Sequence, residues 1–249
     1  MKIVIDGIRS VFFNLAFYLF TIVFCTLALP VVFSKTEKPA RTVIHIYCKV
    51  SLFFARYIMG IRYEYRGAEK LPKEGALVLA AAHQSYMDPI LTYMLRQDVT
   101  ALAKKELFQI PMIGPLIKRI GVIRIDRKSG KAHMGMTDVA IRVKNEGRPL
   151  IVYPQATRVP IGQRKNLKPG AFFIQKEGDL DVYPVATNTG VFWTKGFWHR
   201  SGLVIFQVQD RMKSDLEKDD FMQELDTLVV KNSDKLISEV GYQRLLPSE

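Results

Sequence analysis

Between Val11 and Phe33 the chain runs for 23 residues without a charge, rich in Phe, Leu, Val and Ile. As an α-helix the run is about 35 Å long, enough for a bilayer hydrocarbon core of about 30 Å. A secretory signal would have a shorter apolar region and a small-x-small cleavage site, and no such site follows Pro30. A core helix of this length would carry charge on its solvent face, so the run predicts membrane insertion. Lys2 and Arg9 precede it, and Lys35, Lys38 and Arg41 follow. Positive charge on both flanks chooses no orientation. It also suits a helix that dips into one leaflet and bends back at Pro30. From Thr42 to Met59, the residues Ile46, Val50, Phe53, Phe54 and Tyr57 recur at helical spacing, with Lys49 and Arg56 elsewhere on the wheel. Such a helix lies in the membrane interface or packs on the domain C-terminal to it. Residues 1–60 thus read as a membrane-anchoring helical pair, and residues 61–249 as a second unit.

After Gly60 the texture changes. Ile61–Tyr65 alternates like a strand, and apolar runs at Ala76–Ala82, Pro149–Tyr153 and Leu180–Ala186 suit buried strands. Gly121–Ile125 and Leu203–Val208 add two more. Helical patterns cover Pro89–Arg96, Ala132–Asn145 and Phe221–Glu239. Strands alternating with helices predict an α/β fold, a mixed sheet layered by helices. The formal net charge of +12 points to a polyanionic partner: nucleic acid, an anionic membrane surface or a phosphorylated substrate. Cys25 and Cys48 have neither CxxC nor Cys/His spacing, which argues against a disulfide framework or a zinc site.

Chemistry concentrates in His83-Gln84-Ser85-Tyr86-Met87-Asp88, directly after an apolar strand and before a helix. Open α/β sheets bind ligands at such strand ends. Asp88 before Pro89 suits a helix N-cap followed by Pro at the first helical position. The turn between them can fold the carboxylate back onto the imidazole, making His83 a general base. Taken alone, His-x4-Asp is also compatible with a structural histidine beside a capping aspartate.

Three further segments come next in order: Gly121-Val122-Ile123-Arg124-Ile125-Asp126-Arg127, then Tyr153-Pro154-Gln155-Ala156-Thr157-Arg158-Val159, then Val182-Tyr183-Pro184-Val185-Ala186 with Asn188 and Gly190. With His83–Asp88 they resemble the four ordered motifs of the glycerophospholipid acyltransferase family, specifically the 1-acyl-sn-glycerol-3-phosphate acyltransferases, over roughly Ala76 to Gly190. The third motif departs from the family's Phe-Pro-Glu-Gly-Thr-Arg-Ser at Gln155, Ala156 and Val159. Gln155 keeps hydrogen-bonding capacity without the negative charge. Ala156 excludes a backbone conformation that only glycine tolerates, unless the native φ is negative.

The resemblance implies that His83, oriented by Asp88, deprotonates the hydroxyl of lysophosphatidate, which then attacks an acyl thioester. It implies acyl-CoA or acyl-acyl carrier protein as co-substrate, no cofactor and no metal. It also implies the cell inner membrane, with the catalytic unit on the cytoplasmic side, and membrane lipids rather than nucleic acid as partners. Arg124, Arg127 and Arg158 would clamp the phosphate, since guanidinium forks match phosphate oxygens. Gln155, Thr157 and Pro184 would complete the substrate site. Lys104 and Lys105 are secondary candidates, while Arg164, Lys165 and Lys168 would face lipid head groups. Trp193, Phe197 and Trp198 would rim an acyl tunnel, meet the membrane interface or simply pack. His45, His133 and His199 have no evident partner. Another lysolipid acceptor, and a non-catalytic basic membrane-binding module, are the competing readings. A nucleotide-binding protein is disfavoured because neither Gly-x-Gly-x-x-Gly nor a Walker sequence occurs.

Overall fold

A computed structural model describes residues 2–125 and 134–247. Helix α1 (Lys2–Ala28) starts nine residues before the uncharged run, and a 3-10 turn over Leu29–Phe33 holds Pro30 in its first positions. Helix α2 (Lys38–Phe54) returns and continues as a π turn over Ala55–Met59. It ends on Gly60 at φ 76°, where a Cβ would lie 2.9 Å from the Arg9 guanidinium. A residue without a side chain is needed at that reversal. Both α1 and α2 are long and apolar enough to cross a membrane.

Among the described residues seven strands form one sheet: β1 (Ile61–Arg66), β2 (Val78–Ala81), β3 (Thr100–Lys104), β4 (Ile123–Ile125), β5 (Leu150–Val152), β6 (Val182–Thr187) and β7 (Gly202–Val208). Their order is β1-β7-β6-β2-β5-β3-β4. Strands β6, β2, β5, β3 and β4 run parallel, with Val78 opposite both Val182 and Leu150. Strand β7 runs antiparallel to β6, and β1 runs parallel to β7, so the sheet is mixed. Helices α3 (Met87–Leu95), α4 (Ile113–Arg119), α5 (Met134–Glu146), α6 (Gly170–Gly178), α7 (Thr189–Phe192), α8 (Lys218–Asp226) and α9 (Asn232–Glu239) complete the fold, and a π turn joins the last two. Strand β3, α4 and α6 are elements that periodicity does not reveal.

Alternate strand residues face opposite layers, as the period of two requires. Leu79, Ala81, Ile151, Val185 and Phe206 join Phe13, Phe17, Leu52 and Leu91 in one core. Val78, Ala80, Leu150, Val152 and Val182 join Val139, Ile174 and Phe221 in the other. The helical pair is therefore one outer layer of the fold, and residue 60 marks a change of element type within a continuous core.

Helix α1 is amphipathic in an inverted sense. Its inner face buries Asp6, Ser10, Phe13, Asn14 and Phe17, while Val4, Ile8, Val11, Leu15, Leu19 and Ile22 stand exposed on the other. Ile46, Phe53 and Tyr57 of the α2 region are exposed as well, opposite a packed face of Cys48, Ser51, Leu52 and Ala55. A contiguous exposed apolar face of this kind marks a surface covered by lipid or another partner.

Candidate active site

Three neighbouring parallel strands, β6-β2-β5, end beside one another and carry the fourth, first and third motifs on the loops that leave them. His83 Nδ1 lies 2.9 Å from Asp88 Oδ2. That same oxygen accepts the backbone N–H groups of Gln84 at 2.7 Å and Ser85 at 2.8 Å. The other oxygen accepts the Thr189 hydroxyl. Asp88 is fully buried, and every partner it has is a donor. Nδ1 of His83 is therefore the protonated nitrogen, and the Nε2 lone pair is left to act as a base. Helix α3 begins at Met87, two residues before Pro89, so Asp88 sits inside the first turn rather than at the N-cap expected from sequence. Proline is tolerated there because first-turn N–H groups have no partner within the helix.

The third motif holds His83 from behind. The His83 N–H donates to Gln155 Oε1 at 2.7 Å, and its carbonyl accepts the Val159 N–H at 2.8 Å. The imidazole stacks on Tyr153 at 4.0 Å between centroids and 18° between planes. Burial, and then the Asp88 charge, hold the Tyr153 hydroxyl protonated well above its ordinary range. The fourth motif closes the other side. Gly190 donates its N–H to Gln84 Oε1 at 3.1 Å, and a Cβ on Gly190 would come within 2.8 Å of Gln84 Cβ. Ala156 adopts φ 59°, the left-handed conformation that a side chain disfavours. The sequence expectation that alanine excludes this conformation therefore fails, and the chain adopts it at a cost in strain.

The residues expected to bind substrate are spread unevenly. Arg158 lies half-buried by the dyad loop, its guanidinium 3.7 Å from the centre of the Tyr86 ring. Among the described residues its buried Nη1 has no hydrogen-bond partner. Gln155 is buried, with its amide oxygen turned to the His83 backbone, and Thr157 is half-buried in the same turn. Arg124 is exposed on β4, at the sheet edge and two strands from β5. Arg127 and His133 lie outside the described residues. Pro184 is buried within β6 opposite Ala80, and its carbonyl accepts the Gln209 N–H, which makes it part of the sheet. Lys104 is exposed at the end of β3. Arg164 pairs with Asp234 at 2.5 Å, while Lys165 and Lys168 are exposed. No group of three His, Cys, Asp or Glu side chains suited to a metal occurs among the described residues.

The aromatic cluster divides. Trp193 is buried edge-on against Phe13 and Phe17, at 4.8 and 4.9 Å, while Phe197 and Trp198 are exposed. The expectation of unpartnered histidines fails for His199. Its Nε2 lies 3.1 Å from Asn14 Oδ1, its N–H donates to Ser10 Oγ, and burial lowers its pKa to about 4. His45 Nε2 contacts the Gln97 amide at 3.3 Å. Thr189 and Tyr153 contact the His83–Asp88 pair, and sequence reasoning did not assign them to the site. Their positions next to the fourth motif and at the head of the third were the available signal.

Fold and site define an α/β protein with a paired histidine and carboxylate at the carboxyl ends of the parallel strands of a mixed sheet. The acyltransferase family model matches residues 62–188, just over half of the chain, and the chain belongs to that family. Among curated relatives, the 1-acyl-sn-glycerol-3-phosphate acyltransferase of Pseudomonas aeruginosa is 28% identical over 159 residues, covering 64% of this chain and 62% of that protein. The alpha form from Mus musculus is 30% identical over 181 residues, covering 72% and 62%. The match thus spans about 62% of these relatives' length. The crystal structure of a 1-acyl-sn-glycerophosphate acyltransferase from Thermotoga maritima shares the fold, with a TM-score of 0.74 at 19% identity over 93% of this chain and 97% of that one.

Proposed function

We propose that the chain transfers a fatty acyl group from acyl-CoA or acyl-acyl carrier protein to the free hydroxyl of 1-acyl-sn-glycerol 3-phosphate, giving phosphatidate for phospholipid synthesis. The observation that carries this reading is the His83–Asp88 pair, with Asp88 saturated by donors and His83 Nε2 free to accept a proton. His83 takes the proton of the acceptor hydroxyl as its oxygen attacks the thioester carbonyl. The tetrahedral intermediate collapses, the carbon–sulfur bond breaks, and the leaving thiolate takes the proton from the imidazolium. Asp88 stabilises that imidazolium while it lasts. No acyl-enzyme forms, and no metal or other cofactor is required.

Arg158 holds the acceptor phosphate through its unpartnered Nη1, with Tyr86 keeping the guanidinium in place. Thr157, in the same turn as Arg158, would border the same phosphate, while Arg124 lies at the far sheet edge and Arg127 lies outside the described residues. The protein sits on the cytoplasmic side of the cell inner membrane, with α1 and α2 lying along one leaflet. Supporting this arrangement, the pair is tied to the rest of the fold midway along α1 and at the turn that follows it. Asn14 donates to the Phe197 carbonyl at 2.8 Å, and Arg119 donates to the Ser34 carbonyl.

The test is a kinetic cycle on the intact protein, with products identified by mass, using lysophosphatidate and monoacylglycerol as acceptors. Charge-assisted bonds contribute roughly 1.5–3 kcal/mol, so Arg158→Ala should lower kcat/KM for lysophosphatidate about 10- to 100-fold. Turnover of monoacylglycerol should change far less. Equal losses on both acceptors would remove the phosphate role, and absence of phosphatidate from the wild type would remove the reaction.

A further inference from the structure

At the N-terminal end of α1 a cavity of about 550 Å³, lined by neither His83 nor Asp88, is bordered by Lys2, Asp6, Arg200, Arg244, Tyr242 and Trp198, among others. Its volume falls in the range of small-ligand sites, about 300–1,000 Å³. Three of these side chains are cationic and one is a carboxylate, leaving an excess of positive charge. Asp6 is only 7% exposed, and its Oδ1 is buried with no hydrogen-bond partner among the described residues. Neither Lys2, Arg200 nor Arg244 forms an ion pair with it there. A buried carboxylate oxygen without a donor is a costly arrangement that a ligand hydroxyl would relieve.

The rim is apolar on one side. Ile3 lines the cavity at 86% exposure and continues into the exposed apolar face of α1, and Trp198 is 62% exposed beside it. An exposed tryptophan next to cations is how a protein meets the head-group layer of a bilayer. Polar requirements inside the cavity and apolar ones at its edge are met together by a phospholipid. Its tails would follow α1 into the leaflet while its head group enters the cavity.

We propose that this cavity binds the head group of an anionic phospholipid bearing a free hydroxyl, with phosphatidylglycerol as the probe that fits. Its phosphate would meet Lys2, Arg200 and Arg244, and a glycerol hydroxyl would donate to Asp6. Charge balance decides for this head group. A choline head group carries the same phosphate but cancels its charge with a cation, and it has no hydroxyl to donate to Asp6.

The experiment uses the intact protein in detergent, titrated separately with dihexanoyl phosphatidylglycerol, dihexanoyl phosphatidylcholine and inorganic phosphate. Tryptophan fluorescence is the readout, and Trp198→Phe assigns the signal to the cavity. A saturable response to phosphatidylglycerol alone is expected. The exposed pair Lys2→Gln with Arg244→Gln should weaken that response roughly tenfold or more. An equal response to both lipids would overturn head-group recognition. Saturation by inorganic phosphate alone would make this a free-anion site and overturn the lipid assignment. A signal unchanged in the Lys2/Arg244 double variant, or persisting in Trp198→Phe, would move the binding elsewhere.

Discussion

The loop after β2 and the first two turns of α1 each bury a carboxylate, and they treat it in opposite ways. Asp88 is fully buried and accepts four hydrogen bonds, two of them from backbone N–H groups three and four residues earlier. Asp6 is nearly as buried, and one of its oxygens has no partner among the described residues. The difference comes from the backbone around each. A turn leaves N–H groups free to point inward at a nearby side chain. Asp6 instead projects from the buried flank of α1, where no donor among the described residues reaches its Oδ1, so that donor must come from another element or from a ligand. Buried charge is thus complete machinery at one site and an unmet demand at the other.

Removing the base should break the comparison most strongly. His83→Ala is expected to lower acyl transfer by at least about 10²–10⁴-fold while the protein stays folded and membrane-bound. Wild-type turnover in that variant would end the mechanism. The same Asp-to-Asn change can then be made in both regions. In Asp88→Asn the new amide would face donors and lose the charge, so stability should fall by roughly 1–3 kcal/mol alongside activity. Asp6→Asn, measured without lipid, should leave stability unchanged or raise it. A loss at position 6 as large as that at 88 would mean Asp6 is already satisfied.

The outward face of α1 separates the two regions further. Leu15→Lys with Leu19→Lys puts two charges where both leucines are exposed. Because a lysine in hydrocarbon costs about 2.5–3.5 kcal/mol at the centre and less near the interface, vesicle binding should fall at least roughly tenfold. Cosedimentation as complete as that of the wild type would show that this face does not enter lipid.

His199 tests the α1 region by pH. Its neutral ring lies by Asn14 and Ser10, with a pKa of about 4 against 6.5 for the free group. Between those values the unfolded chain binds more protons, so this stability is fully present above pH 6.5 and is lost as pH falls toward 4. At about 1.4 kcal/mol per pH unit the total is at most roughly 3 kcal/mol. His199→Gln should flatten the difference in denaturant stability between pH 7 and pH 4. An unchanged slope would show that the ring already carries its proton in the fold.

The smallest effect is expected at Ala156. Left-handed backbone costs an alanine about 1 kcal/mol relative to glycine, so Ala156→Gly should stabilise slightly, offset in part by the freer unfolded chain. Turnover should hold, because the shape behind His83 is kept. A destabilised variant would mean that the methyl group packs more than it strains.

Features set by close neighbours were legible in the sequence. The His-x4-Asp turn closes over five positions, so spacing made the His83–Asp88 contact legible while its catalytic use was implied by the four-motif resemblance, and α3 starts early enough to move Asp88 off the cap. Buried strands such as Val78–Ala81 and Val182–Thr187 showed as apolar runs. Strand β3, Thr-Ala-Leu-Ala-Lys, did not, since alanine has little strand preference and its pairing is supplied by β5 and β4. The uncharged run announced a membrane helix, but its polar inner face and its place as a layer of the core needed the fold. The same holds for contacts between distant residues. Gln155 reaches His83 across 72 positions, Thr189 reaches Asp88 across 101, and His199 meets Asn14 across 185. The order of strands in the sheet brings these groups together, whereas spacing along the chain reports only what lies within a turn or two. That is why the sequence determined which residues could form a base and a lipid-facing helix, and tertiary structure alone decided what holds the base in place and left Asp6 without a donor.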